Sequence, residues 1–329
     1  MEISGGLIIS GGSSIVGPNG TGGGGGSPSP SPGGGGASNF GYTAGGFTGG
    51  AYSNVIDKFS FSSDANATDV GDTIGTPVGS AGQSSSTHGY NSGNGGPSDP
   101  SGKIQKFAFA SDGNATSVGS LSRKRGTTPA GGSSSSSGYT AGGRANPGGI
   151  QNVIDKFPFA SDSDATDVGD LATGVQDTCG QSSSDNGYVS TGEASPGNVN
   201  IIQKYSFASD GNASDVGDNT ATRNSAAGQN SSTHGYTSGG FIAPNNFRVD
   251  IIDKFPFASD GNATDVGDLS LGRRQLTGTS SNASGYNAGG NREPGQPNEI
   301  DKFSFSSDGN ATDVGDLTQA RNSGSGAQY

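Results

Sequence analysis

The sequence predicts an all-β protein assembled from six copies of one small module, and three observations carry that prediction. The tract Ile252–Gly267, IDKFPFASDGNATDVG, recurs six times with small changes, anchored by Lys58, Lys106, Lys156, Lys204, Lys254 and Lys302. A valine stands twelve residues after each lysine, and successive lysines lie 48, 50, 48, 50 and 48 residues apart. A Gly-Tyr pair marks each module as well, with tyrosines at Tyr42, Tyr90, Tyr139, Tyr188, Tyr236 and Tyr286. Finally, no stretch has helical periodicity, and short apolar tracts alternate with Gly, Asp and Asn clusters. Self-similarity at this period signals a modular fold.

Residues 1–39 stand outside the repeat. The apolar patch Leu7, Ile8 and Ile9 precedes Gly22–Gly26, a Ser-Pro run and Gly33–Gly36. The run favours extended polyproline geometry between flexible glycines. An irregular Gly/Pro-rich arm over 1–40 is expected, with Leu7–Ile9 docking on a partner by strand addition.

From Phe40 the modules read alike. In the fifth, Gly235–Gly240 is a short aromatic strand closed by a glycine turn, followed by the variable segment Phe241–Arg248. Ile252–Phe257 reads as a strand with Phe255 and Phe257 on one face. Ser259–Asn262 is turn chemistry, since Asp and Asn bond locally and Gly accepts positive φ. Thr264–Val266 is a short strand, and a small polar stretch such as Arg223–Ser232 supplies a fourth. Four short strands in about 49 residues make a propeller blade. The expected closure is circular, Arg321–Tyr329 completing the blade opened by Gly41–Gly46 and removing two free sheet edges.

Composition bounds the function. Gly (63) and Pro (15) approach a quarter of the 329 residues, and only 28% are hydrophobic. That balance alone would suggest low complexity, but Phe, Ile, Val and Tyr held in register over six copies exclude it. The net charge of −12 offers no basic stripe for phosphates, so no nucleic-acid partner is expected. The single cysteine, Cys179, excludes an internal disulfide and takes the place of a small packed residue. No 18-residue apolar run exists, so no membrane span is expected. The N-terminus has neither a basic region nor a continuous apolar core, and a secretory leader is not expected.

The modules resemble kelch repeats. Tyr42 precedes Gly45-Gly46, Tyr139 precedes Gly142-Gly143, Tyr236 precedes Gly239-Gly240 and Tyr286 precedes Gly289-Gly290. Arg125, Arg223, Arg273 and Arg321 each follow the repeat valine by seven residues, whereas Pro77 and Val175 fill that place in two modules. The family's tryptophan is absent. The resemblance implies a six-bladed kelch-like β-propeller over 41–329. The near-identical tracts also resemble repeats in virion structural proteins of aquatic tailed bacteriophages, where they accompany tail or fibre components. That likeness implies a multi-copy protein on the exterior of the particle, held to other virion proteins by its arm and meeting a host surface glycan.

Candidate chemistry is sparse. His88 and His234 share one register and read as turn residues beside the tyrosine. The Ser-Asp-Gly-Asn-Ala-Thr-Asp tract fails the calcium-loop spacing, so no cofactor is expected and calcium is the one ion to weigh. It is similar to a sialidase Asp-box, but its glycine stands one residue early and no tryptophan follows. In five modules this tract carries an Asn-x-Ser/Thr triplet, at Asn66, Asn114, Asn212, Asn262 and Asn310, a glycosylation acceptor in a eukaryotic secreted setting. The register Lys and Asp, for example Lys254 with Asp265 or Asp268, are expected to pair within or between blades. Residues present in every blade serve the blade, so function is expected in the variable segments Thr48–Asn54, Gly95–Gly102, Arg144–Gln151, Glu193–Asn200, Phe241–Arg248 and Asn291–Asn298. These connect equivalent strands and should crowd one face. A structural or adhesion protein, not an enzyme, is the expectation. The alternatives are a polysaccharide-degrading propeller, for which Asp99, Glu193, Glu293 and Glu299 are the non-repeated acids, and a cellular kelch scaffold.

Overall fold

The computed structural model describes residues 39–93, 102–125, 128–145, 148–243, 247–292 and 294–329. Among these all regular structure is β, arranged as six four-stranded antiparallel sheets and two short two-stranded ribbons, Arg144–Ala145 with Gly149–Ile150 and Phe241–Ile242 with Phe247–Arg248; the six sheets are the six-bladed propeller that the repeat predicts. No helix is long and apolar enough to cross a membrane. Leu7, Ile8 and Ile9 lie outside the described residues.

Blade 1 runs outward from Ser325–Gln328 through Phe40–Ala44 and Val55–Ser60 to Thr68–Asp72. Its innermost strand comes from the far end of the chain, with Tyr42 opposite Ala327 and Gly41 opposite Gln328. Circular closure is therefore present as expected. In every other blade the innermost strand directly precedes the tyrosine strand, so the sequence repeat and the blade are offset by one strand. Chain direction then puts the variable segments and the blade-to-blade connections on one face, the loop face. The tight turns of Ser, Thr and the Ser-Asp-Gly-Asn tracts lie on the other, the turn face.

Glycine sets how closely the blades approach. The innermost strands carry Gly82, Gly131, Gly180, Gly228, Gly278 and Gly326 at one level around the axis. A Cβ on each would lie 1.9–2.3 Å from the carbonyl oxygen of its neighbour in the ring. No side chain fits there, so the girdle closes backbone against backbone. The glycine before each repeat tyrosine has a different cause, because the aromatic ring of the paired strand covers it. A Cβ on Gly41 would stand 2.4 Å from the Phe59 ring.

Three couplings join each blade to the next, and all three close from the sixth to the first. The repeat tyrosine stacks on the aromatic pair of the following blade, as Tyr188 does on Phe257 at 4.8 Å and Tyr286 on Phe61 at 4.5 Å. The repeat lysine pairs with the turn aspartate of the following blade, as in Lys58–Asp112 at 3.1 Å and Lys302–Asp64 at 2.9 Å. Lys254 accordingly pairs with Asp308 and not with Asp265 or Asp268, because its side chain projects from the sheet toward the neighbouring blade. The turn asparagine accepts a backbone N–H from the preceding blade, as Asn114 does from Asp72 at 2.9 Å. Five of these clasps explain the Asn-x-Ser/Thr triplets without any glycan. The aromatic contacts carry the apolar burial, while exposed ion pairs add well under about 1 kcal/mol each.

Inside four blades lies a fully buried ion pair: Arg321–Asp57 (2.9 Å), Arg125–Asp155 (2.6 Å), Arg223–Asp253 (2.9 Å) and Arg273–Asp301 (2.7 Å). Arg321 also donates to the carbonyls of Thr43 (2.9 Å) and Val55 (2.8 Å), the second of which also accepts the Gly45 N–H at the glycine turn. The two blades entered through Pro77 and Val175 carry Gln105 and Gln203 in place of the aspartate. Each glutamine exchanges two hydrogen bonds with a connecting-segment backbone, Gln105 with Ile74 and Gln203 with Thr173. Where the cation is missing the anion is missing too, because a lone buried carboxylate would be severely destabilising.

Arg321→Val should therefore cost about 3–5 kcal/mol by stranding Asp57. Arg321→Val combined with Asp57→Gln, which copies the neutral blades, should recover most of the loss in a denaturant melt. A double variant no more stable than the single would show that the charge balance is not the cause.

Candidate functional site on the variable-loop face

The repeat residues sit where they serve the blade. All six repeat tyrosines are buried at blade interfaces, the six lysines bridge blades, and the four arginines are buried inside them. Burial pushes the guanidinium pKa of Arg125, Arg223 and Arg321 down, and the adjoining carboxylate opposes that shift. His88 and His234 begin the tyrosine strands of blades 2 and 5, on opposite sides of the ring, each with Nδ1 2.8 Å from a threonine hydroxyl. Burial, and secondarily a lysine, lowers both. Among the described residues no group of three or more His, Cys, Asp or Glu is placed to hold a metal ion. Cys179 is buried in the innermost strand of blade 4 and has no disulfide partner.

Non-repeated residues gather at the loop-face mouth of the axis. Two positions before each innermost strand stand Gly79, Thr128, Asp177, Ser225, Gln275 and Ser323. Five of them have left-handed backbones, with φ of 65° at Gly79, 49° at Asp177, 56° at Ser225, 58° at Gln275 and 55° at Ser323. The left-handed turn aims each N–H at the next carbonyl in the ring. Ser225 donates to Asp177 (2.6 Å), Gln275 to Ser225 (2.7 Å), Ser323 to Gln275 and Gly79 to Ser323 (both 2.8 Å). For non-glycine residues this conformation costs on the order of 1 kcal/mol apiece.

Over blades 4 to 6 this mouth is flanked by an uneven set of polar and aromatic groups. Gln176 donates to Glu193 at 3.2 Å. Burial pushes Asp177 up; a Thr128 hydrogen bond and Arg274 oppose this, and the charge of Glu193 reinforces it. Arg274 lies 4.6 Å over the Phe241 ring, and Arg248 donates twice to Asn291 at 3.1 Å. Phe247 is 63% exposed beside them, and Tyr52, on the loop of blade 1, is 44% exposed. A second recess of about 340 Å³ lies between Thr48–Asn54 and Gln319–Ala320.

The non-repeated acids are thus only partly brought together. Asp99 and Glu293 fall outside the described residues, as does most of Gly95–Gly102. Glu299 belongs to the third strand of blade 6, whereas Glu193 is bonded to Gln176, the chain neighbour of Asp177, a residue that sequence reasoning passed over. The available signal was register, since Asp177 is the one acid at a position held by Gly, Thr, Ser or Gln in the other modules. No protein-family model matches the chain, and no curated protein matches it.

Burial raises the repeat tyrosines, Tyr188 and Tyr236 to about 12, and Cys179 to about 11. The folded form then holds protons that the unfolded form releases, so stability is intact below the unfolded values near 9 and 10 and falls as pH rises through 9–12. Alkaline titration of a Tyr52→Phe, Tyr329→Phe variant, which removes the two exposed tyrosines, should show one cooperative step in tyrosinate absorbance at unfolding, with Cys179 unreactive to thiol reagents before it. Gradual tyrosine ionisation in the folded protein would contradict this.

Proposed function

We propose that this protein is a non-enzymatic structural and adhesion module whose loop face binds a surface glycan. The carrying observation is the contrast between a body repeated six times and a loop face that differs in every blade. Catalysis and recognition at an exposed surface need asymmetry, and the loop face has it in every blade. Exposed Phe247, the Arg274–Phe241 stack and the amide pair Asn198–Asn224 (3.0 Å) combine an apolar platform with planar donors and acceptors. That combination suits sugar rings, whose C–H faces pack on aromatics while their hydroxyls take hydrogen bonds.

The likeness of the repeats to virion proteins of tailed bacteriophages supports placing the module on the exterior of a particle in multiple copies. The kelch-like repeats supply the rigid body, and residues 1–39 attach it to other virion proteins. Deleting 1–39 should leave the melting midpoint unchanged and abolish incorporation; normal incorporation would defeat the attachment role.

One observation favours a second reading. Gln176 donates to Glu193 at 3.2 Å and precedes Asp177 in the chain, which brings two non-repeated carboxylates to the same mouth, and paired carboxylates are what hydrolyse glycosidic bonds. Glycan-array binding that falls at least tenfold in Phe247→Ala, without release of reducing sugar, fits the adhesion reading. Sugar release abolished by Asp177→Asn would replace it with the hydrolase. No binding by the wild-type chain would defeat both.

A further inference from the structure

On the turn-face side of the glycine girdle the six innermost strands are joined by a second closed ring. The backbone N–H of Ser84 donates to Ser133 Oγ (3.1 Å), Ser133 to Ser182 Oγ (3.1 Å) and Ser182 to Asn230 Oδ1 (3.4 Å). Asn230 donates to Ser280 Oγ (3.0 Å), Ser280 to Gln328 Oε1 (2.9 Å), and Gln328 to Ser84 Oγ (3.0 Å). Every bond runs in the same sense, and every side chain in the ring is an acceptor. The four serine hydroxyl hydrogens are left over, with no acceptor among the described residues. The Asn230 amide is fixed by the bond to its oxygen, and its buried Nδ2 has no partner. Asn230 itself is 6% exposed.

These six residues line a polar axial cavity of about 60 Å³. A single water needs roughly 10–15 Å³ on this scale, so there is room for several waters or one small ion with part of its shell. No charged side chain lines it. The ring serines and Asn230 have unused donor capacity, hydroxyls polarised by the N–H bonds they accept and an orphan amide, while the girdle glycines turn their carbonyls to their neighbours in the ring. A cation would face the Asn230 NH₂ group. An anion accepts from all sides at once.

We infer that the propeller axis holds a monovalent anion of halide size, bound by Ser84, Ser133, Ser182, Ser280 and the Asn230 amide. This site is independent of the loop-face function. The probe is bromide. Crystals of the full chain grown in sodium bromide should show an anomalous peak on the axis within hydrogen-bonding reach of the serine hydroxyls. Asn230→Asp keeps an oxygen for the Ser182 N–H but turns the donor into a negative charge, and should abolish the peak. The wild-type melting midpoint, compared between bromide and sulfate at matched ionic strength, should gain in bromide relative to Asn230→Asp; the comparison cancels general salt effects. Asn230→Ser, the residue of four other blades, preserves the ring should the aspartate variant fail to fold, and should lower bromide occupancy. Axial density without anomalous signal in the wild type, or a rubidium peak there in rubidium salts, would overturn the inference.

Discussion

Close backbone contact at the axis is the constraint on which the rest of this structure depends. Six innermost strands can meet only where each lacks a Cβ, and the glycine girdle supplies that at one level in every blade. The tyrosine stacks, lysine pairs and asparagine clasps farther out all need the blade spacing that the girdle fixes. This also accounts for a thin core. Large side chains are concentrated between blades, as in Tyr42, Ile56, Phe107 and Phe109 packed together, and the axis is packed with backbone and small polar groups. The high glycine content, which resembles low complexity when counted, is positional when placed on the fold.

Charge inside the blades obeys an equally local rule. The arginine braces carbonyls at the glycine turn, but its own burial demands a carboxylate, and that carboxylate then demands the arginine. Blades with Gln105 and Gln203 instead hold the connecting segment with an amide that pairs with its backbone, where Asp57 accepts the Thr318 N–H. Both solutions are neutral overall, and each requires its two positions to change together. Four blades of one kind and two of the other within a single chain amount to a mutational experiment already performed, with the sheet geometry held constant.

Much of this was legible in the sequence because it repeats. The six lysines and tyrosines gave the blade count, and the final small polar stretch gave the closing strand. The aspartate–arginine linkage was also visible, as IDKF against IQKF and IQKY, but it joins positions about thirty residues apart and shows only when modules are compared column by column. The lysine partner was ambiguous because several aspartates per module lie near it in sequence, and the true one belongs to the next blade. Asp177 and the axial ring were the least legible. Their meaning comes from six distant residues converging on one axis, and no local pattern in Ser84, Asn230 or Gln328 announces that.

The convergence on an axis also explains where chemistry can arise in such a fold. A feature written into every module is averaged around the ring and becomes structure, as the lysine pairs and asparagine clasps have. A feature written into one module breaks the symmetry at the place where all six meet, and its neighbours there are fixed by the other five. Asp177 at the loop-face mouth and Asn230 in the axial ring are both single departures of this kind, each leaving a polar group that its blade does not need. The girdle separates them, one toward each face. The same backbone contact that closes the molecule therefore keeps its two axial sites chemically distinct.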